Sequence, residues 1–250
     1  MTNPPRRIFI GDVHGHYDGL MQLFETIAPA RGDQIYFVGD LIDRGPKSAH
    51  VIEFVRKNNY PCVLGNHEQL LLDAFPNGGT NMAAFQNWLY SGGQTTLASY
   101  STTDHLLAHI EWLKKLPLFL DLGDIWLVHA GIDPRKPLGQ QTSQDFCWVR
   151  EPFQSFERPY FTDKLVIVGH TITFTLPDVS PGQIAQGPGW LGIDTGAYHS
   201  KSGWLTAVDI DNALVYQANV FQKATRTRSL KDAIAPISPQ KIGRRARQPA

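Results

Sequence analysis

The sequence predicts an α/β chain, a mixed parallel and antiparallel sheet with helices outside, and three observations predict it. Six short apolar runs bounded by Gly, Asp or Asn have the length and make-up of buried strands. Helical patterns separate the first three, the βαβαβ order that yields parallel pairs. Past residue 118 short strands dominate, and they finish in a hairpin-like pair.

Residues 8–10, 34–38 and 62–64 supply the first three strands, with helices over 17–28 and 48–58 between them. Residues 81–116 read as a helical insertion over one end of the sheet. Met82, Phe85 and Leu89, then Leu106, Leu107, Ile110 and Leu113, recur at helical spacing around a Ser91-Gly92-Gly93 break. Strands follow at 125–128, 165–168 and 190–193, and 203–210 turns through Asp211-Asn212 into 213–220. Residues 1–220 therefore form one domain. Residues 221–250 hold eight of the chain's 23 basic residues and one of its 23 acids, and read as a poorly ordered basic extension. A solvated tail is the default for it; a steering patch for a polyanion, nucleic acid or nucleotide is the sharper reading.

Composition narrows the class. A chain of 250 residues with 42% hydrophobic and 11% aromatic content is globular rather than disordered. Cys62 and Cys147 lie in apolar surroundings without CxxC spacing, which reads as buried thiols in a reducing compartment. No signal-peptide core opens the chain and no stretch approaches a membrane span, so a cytoplasmic protein is expected.

The chemistry sits where the strands end. GDVHG follows residues 8–10, GDLIDRG follows 34–38, and GNHE follows 62–64; VHAG, VGHT and GIDTGA repeat the arrangement later. Ligands bind at the carboxyl ends of strands in open α/β sheets, so these clusters should meet in one crevice. Asp12 and His14 are two apart in an extended segment and can point the same way. Asp40 and Asn66 add oxygen donors, and His129 and His170 add imidazoles. Such a set exceeds what one zinc needs and suits two cations that share a carboxylate; without thiolates it favours Mn²⁺, Fe or Zn²⁺ over Ca²⁺. Paired cations activate water and stabilise both oxygens of an in-line displacement at phosphorus. Arg44 and Arg150 offer the fork that suits phosphate. His67, beside the ligand Asn66, must point elsewhere and is the natural general acid, with Asp43 orienting it.

GDVHG, GDLIDRG, GNHE, HAG and GHT, in that order and spacing, resemble the signature blocks of the calcineurin-like metallophosphoesterases. The resemblance is to the phosphoprotein-phosphatase branch and runs from about Arg6 to Ile210. It implies two mixed β-sheets packed face to face with helices outside, a four-layer sandwich. It implies that Asp12, His14 and Asp40 hold a first metal and Asp40, Asn66, His129 and His170 a second, with Asp40 bridging. It gives Arg44 and Arg150 to phosphate and the His67–Asp43 pair to leaving-group protonation, and it makes 1–220 a catalytic domain with two divalent ions, manganese first.

Departures bear on the substrate. Gln69 and Leu70 after GNHE, HAG rather than HGG, and GHT place the chain with bacterial and phage-like serine/threonine protein phosphatases. Symmetrical diadenosine tetraphosphate hydrolases share the blocks but often lose the second acid of GDxxDRG and carry GNHD, whereas Asp43 and Glu68 are both present here. The expected activity is thus phosphomonoester hydrolysis, on phosphoserine or phosphothreonine in proteins. Symmetrical cleavage of a dinucleoside tetraphosphate is the alternative. A binding module that has lost activity is the third reading, against which all six ligand positions are filled.

The remaining candidates read as structural. His16, His50, His105, His109 and His199 are expected on the surface or at caps, and Trp88, Trp112 and Trp148 in the core. Tyr198, after GIDTGA, is placed at the site mouth. Loops over 81–101 and 134–159 are expected to shape specificity.

Overall fold

A computed structural model describes residues 5–76 and 79–245. Eleven strands in the described residues form two sheets. Arg7–Ile10 (β1) and Gln34–Phe37 (β2) pair in parallel, and β1 also pairs antiparallel with Trp204–Asp209 (β8). Leu214–Asn219 (β9) and Thr225–Ser229 (β10) complete the order β10-β9-β8-β1-β2. The second sheet combines Phe119–Asp121 (β3), Ile125–Val128 (β4), Leu165–Val168 (β5), Ile184–Gly187 (β6), Trp190–Gly192 (β7) and Ile234–Pro236 (β11), in the order β11-β6-β7-β5-β4-β3.

Side-chain alternation turns these sheets into layers, because successive residues of a strand face opposite sides. Phe9, Tyr36 and Val38 pack with Leu127, Ile167 and Leu191 in a core between the sheets. Ile8, Ile10, Ile35 and Phe37 face the other way, onto helices Tyr17–Ile27 (α1), Ser48–Lys57 (α2) and Asn66–Ala74 (α3). Trp126, Val128, Val166 and Val168 likewise turn outward, onto Phe146 of Ser143–Trp148 (α7) and Phe153 of Glu151–Gln154 (α8). Helices, sheet, sheet, helices is the four-layer arrangement expected, and a strand buried on both faces is why β1 and β4 read as unbroken apolar runs.

The insertion over 81–116 comprises Met82–Trp88 (α4), Gln94–Ala98 (α5) and Thr103–Leu113 (α6). Its expected break falls at Gly92, whose φ of 115° interrupts the helical path. No helix among the described residues is long and apolar enough to cross a membrane. Cys62 and Cys147 are both free and buried.

Two expectations change. Residues 62–64 add only an isolated bridge between Phe37 and Cys62, because the backbone turns away and Leu64 N–H bonds the Pro117 carbonyl. The segment after Phe221 is not loosely ordered within the described residues. Its β10 extends the first sheet along β9, and after the short helix Leu230–Ala233 (α9) its β11 joins β6 of the second. Pro239–Arg245 (α10) follows. Three of its cations are engaged locally: Arg226 stacks on Trp204 and bonds Gln217, Arg228 bonds the Asp232 carbonyl, and Lys241 pairs with Asp178. Residues 246–250 lie outside the described residues.

Ending the chain at Ala224 should therefore destabilise it. Removal of β10 and β11 uncovers one edge of each sheet and takes away the buried Ala233 and Ala235. Each lost kcal/mol lowers the midpoint of a domain this size by about 2–4 °C. Calorimetry of the two lengths decides it, and equal midpoints would refute the account.

Candidate active site

Every cluster singled out at a strand end lands in one place, between the carboxyl ends of β1, β2, β4 and β5. Asp12 and His14 follow β1, Asp40 follows β2, His129 follows β4, His170 follows β5, and Asn66 opens α3. All six are nearly inaccessible to solvent. His14, Asp40, Asp43, Arg44 and His170 all have left-handed backbone, with φ of 46°, 50°, 72°, 70° and 65°. Asp and His tolerate that region better than most side chains; arginine does not share the preference.

Asp40 lies at the centre. Its Oδ1 is 3.3 Å from His129 Nε2 and its Oδ2 is 3.5 Å from His14 Nε2, so one carboxylate faces two separate histidines. Each histidine is fixed from behind. His14 Nδ1 lies 2.9 Å from the Ile42 carbonyl and His129 Nδ1 lies 2.7 Å from the Val38 carbonyl. Carbonyls only accept, so both Nδ1 atoms carry the proton and both Nε2 atoms present bare lone pairs.

The lone pair of His129 faces Asn66 Oδ1 at 2.9 Å, and that oxygen also lies 2.8 Å from His170 Nδ1. Asp12 accepts from His170 N–H through Oδ2 at 3.0 Å, while its buried Oδ1 has no hydrogen-bond partner. Burial holds the His14 and His170 imidazoles well below their usual range and His129 below it, all toward the neutral form. Burial, then Asp194 and Asp40, pushes the Asp12 carboxyl well above its range. His129 Nε2 thus faces the Asp40 and Asn66 oxygens as acceptor on acceptor with no proton between them, an arrangement that fits a divalent cation. Two carboxylate–histidine groups, His14 with Asp40 and His67, and Asp12 with Asp40 and His129, are close enough to hold ions, and both include Asp40.

His67 and Asp43 meet as expected, with Nδ1 2.7 Å from Oδ2. Asp43 is itself held: its Oδ1 accepts from Thr96 Oγ1 at 2.6 Å and from Trp88 Nε1 at 3.1 Å. These two orienting residues escape sequence reading because they lie about 50 positions away, in the insertion. Trp88 is thus core and something more. Glu68 accepts backbone N–H groups of Asp40, Leu41 and Gly65 at 2.8, 2.8 and 3.0 Å, which clamps the turn carrying Asp40 onto the start of α3.

Arg44 and Arg150 reach the same cavity, about 130 Å³, which Asp40, Asn66, His67, His170 and Tyr198 also line. The Arg44 guanidinium lies 3.9 Å over the Tyr198 ring, and its Nη1 is 2.8 Å from His14 Nε2. Tyr198 is where the sequence placed it. Arg150 bonds Thr171 Oγ1 at 3.0 Å and the His170 carbonyl at 3.3 Å. Gly92 packs on Arg44, accepting its N–H; a Cβ there would sit 3.0 Å from Arg44 Cγ on a backbone only glycine favours. Part of the 81–101 loop therefore shapes the site, as expected.

Asp194 was not among the candidates, although GIDTGA was noted. It is buried beside the ligand cluster, and burial pushes its carboxyl up to about 6 despite the Gly196 N–H it accepts. The spare histidines divide. His16, His50, His105 and His199 stay partly or fully exposed, but His109 is buried, bonded to Tyr100 and Glu53. It occupies the inward stripe of α6 with Leu106, Ile110 and Leu113, a position that overrides its polarity.

Comparison with known proteins bears on the family and the fold. A family model described as calcineurin-like phosphoesterase matches residues 5–191. A symmetrical bis(5'-nucleosyl)-tetraphosphatase of Buchnera aphidicola is 37% identical over 131 residues, 50% of this chain and 44% of the relative. One of Cronobacter sakazakii is 34% identical over 163 residues, 62% of this chain and 53% of the relative. The matched stretch thus spans about half the length of these relatives. A serine/threonine phosphatase structure from Saccharomyces cerevisiae shares the fold, with a TM-score of 0.58 at 16% identity over 84% of this chain and 74% of that one.

Proposed function

This chain belongs to the calcineurin-like phosphoesterase family, and from that premise we propose that it is a dinuclear-metal phosphoester hydrolase that cleaves dinucleoside tetraphosphates symmetrically. The position of Asp40 carries the hydrolase reading: its two oxygens address two different histidines. Asp12, His14 and Asp40 would hold one ion, and Asp40, Asn66, His129 and His170 the other. Manganese is the first choice, with iron or zinc as alternatives. When bound, such a pair supplies an activated water and neutralises phosphoryl charge.

The chain's own residues do the rest. Arg44 and Arg150 draw phosphoryl oxygens into the cavity and orient them. His67 donates a proton to the departing oxygen; with Nδ1 held by Asp43, Nε2 is the nitrogen that delivers it. The cavity accommodates a phosphoryl group rather than a nucleoside, so the nucleosides lie at its mouth, where Tyr198 and Arg44 stack.

The substrate departs from the phosphoprotein first expected. That expectation leaned on Asp43 and Glu68, and in this chain both have structural work that serves either substrate: one orients His67, the other pins a turn. They do not discriminate. The two relatives described above share more than 30% identity with the matched stretch and bear the tetraphosphatase name, which tips the reading.

The test sets diadenosine tetraphosphate against a phosphoserine peptide on the Mn²⁺-loaded protein, with His67→Asn as control. Faster turnover of the dinucleotide, giving ADP alone, is expected. Preference for the peptide restores the protein-phosphatase reading, and ATP with AMP as products would remove the symmetrical one.

A further inference from the structure

Away from the active site, α2 and α6 bring together a second group of metal-binding side chains. We propose that Glu53, His105 and His109 form a binding site for a zinc-class transition metal, separate from the catalytic pair. Glu53 comes from α2, and the histidines stand four residues apart on one face of α6. Ligand atoms of all three lie within 4.8 Å of one another, and His109 Nε2 is already 3.0 Å from Glu53 Oε2. Around a tetrahedral ion with bonds of about 2.0–2.2 Å, ligand atoms sit about 3.3–3.6 Å apart. Exposed His105, its ring centroid 4.4 Å from that of His109, has to move least hindered of the three.

Three features suit a metal. First, His109 is anchored through its second ring nitrogen, 2.8 Å from Tyr100 Oη, the outer contact that typically orients a ligating imidazole. Burial also keeps its imidazole toward the neutral form that can coordinate. Second, the group borders a cavity of about 450 Å³ lined by His50, Glu53, Lys57, Ser99, Ser101 and His105, which leaves a coordination position for water or an exogenous ligand. None of these residues lines the active-site cavity. Third, two imidazoles with one carboxylate select zinc, cobalt or nickel over magnesium and calcium.

Arg56 and Lys57 compete for Glu53, at 2.8 and 3.0 Å. Lys57 is 70% exposed and its pair is weak; Arg56, 45% exposed, grips both Glu53 oxygens and has to swing aside for an ion to bind. An ion here ties α2, which starts five residues after Asp43, to the helical insertion that supplies Thr96 and Trp88 to the same aspartate.

The test is a zinc titration of metal-stripped full-length protein against a chelating indicator, for wild type, His105→Ala and Tyr100→Phe. The wild type should bind one equivalent more than His105→Ala, whatever the catalytic centre takes up. Tyr100→Phe should keep that equivalent with affinity weakened about 10–100-fold. Substitution of exposed His105 leaves the fold intact, so the same stoichiometry and affinity in wild type and His105→Ala overturns the site. Unchanged affinity in Tyr100→Phe, with the equivalent lost in His105→Ala, removes the orienting role and with it the geometry proposed.

Discussion

His67→Asn lowers turnover by about 10²–10⁴-fold, the range of a positioned general acid, and leaves the metal content unchanged. The expectation rests on a division of labour within two adjacent residues. Asn66 Oδ1 lies against His129 and His170, whereas His67 turns to Asp43, with its ring edge-on to His14 at 4.8 Å between centroids. Asparagine keeps the helix start and the backbone N–H that bonds Asp40 Oδ1 at 3.0 Å. Asp43 stays oriented by Thr96 and Trp88. Proximity alone would also allow His67 to bind an ion with His14 and Asp40. Metal analysis beside steady-state kinetics separates the two: a variant that loses one ion together with its activity makes His67 a ligand, and the acid must then be sought elsewhere.

Asp40→Asn should reach further, abolishing detectable turnover and both ions together. The neutral amide lacks charge, and one of its terminal atoms becomes a donor aimed at a site that needs two acceptors. Loss of fold is not the expected cause. Asparagine has nearly the shape of aspartate and keeps an oxygen to accept the His67 N–H that Asp40 Oδ1 accepts at 3.0 Å, although it loses the charge that the neighbouring histidines favour. The variant in EDTA should therefore still unfold in one cooperative transition, while addition of Mn²⁺ raises the midpoint of wild type alone. An equal Mn²⁺-induced shift in both proteins would show that Asp40 is not shared between the ions.

Much of this site is legible in the sequence because buried parallel strands write themselves plainly. Residues 8–10 and 125–128 are apolar throughout, being covered on both faces, and each stops at a polar cluster that the fold then gathers. Less was legible at the sheet edges. β10 reads TRTRS, a strict alternation, but its arginines resemble a solvated tail, and the Trp204 ring and Gln217 that receive Arg226 are distant in sequence. β11 is three residues ending in proline, too short to register as a strand without its partner β6. His109 could have been found: it falls three residues after Leu106 and one before Ile110, on the stripe that faces inward. Thr96 and Trp88 could not, since their role depends on where Asp43 lies after folding.

The left-handed backbone at His14, Asp40, Asp43, Arg44 and His170 sets the chain's two demands against each other. Each such residue costs about 1–3 kcal/mol relative to an unstrained backbone. Glycine at these positions would relieve that cost and delete the chemistry in one substitution. Heat resistance and activity are consequently opposed at five neighbouring points, and a library selected for thermal survival alone should lose function there first.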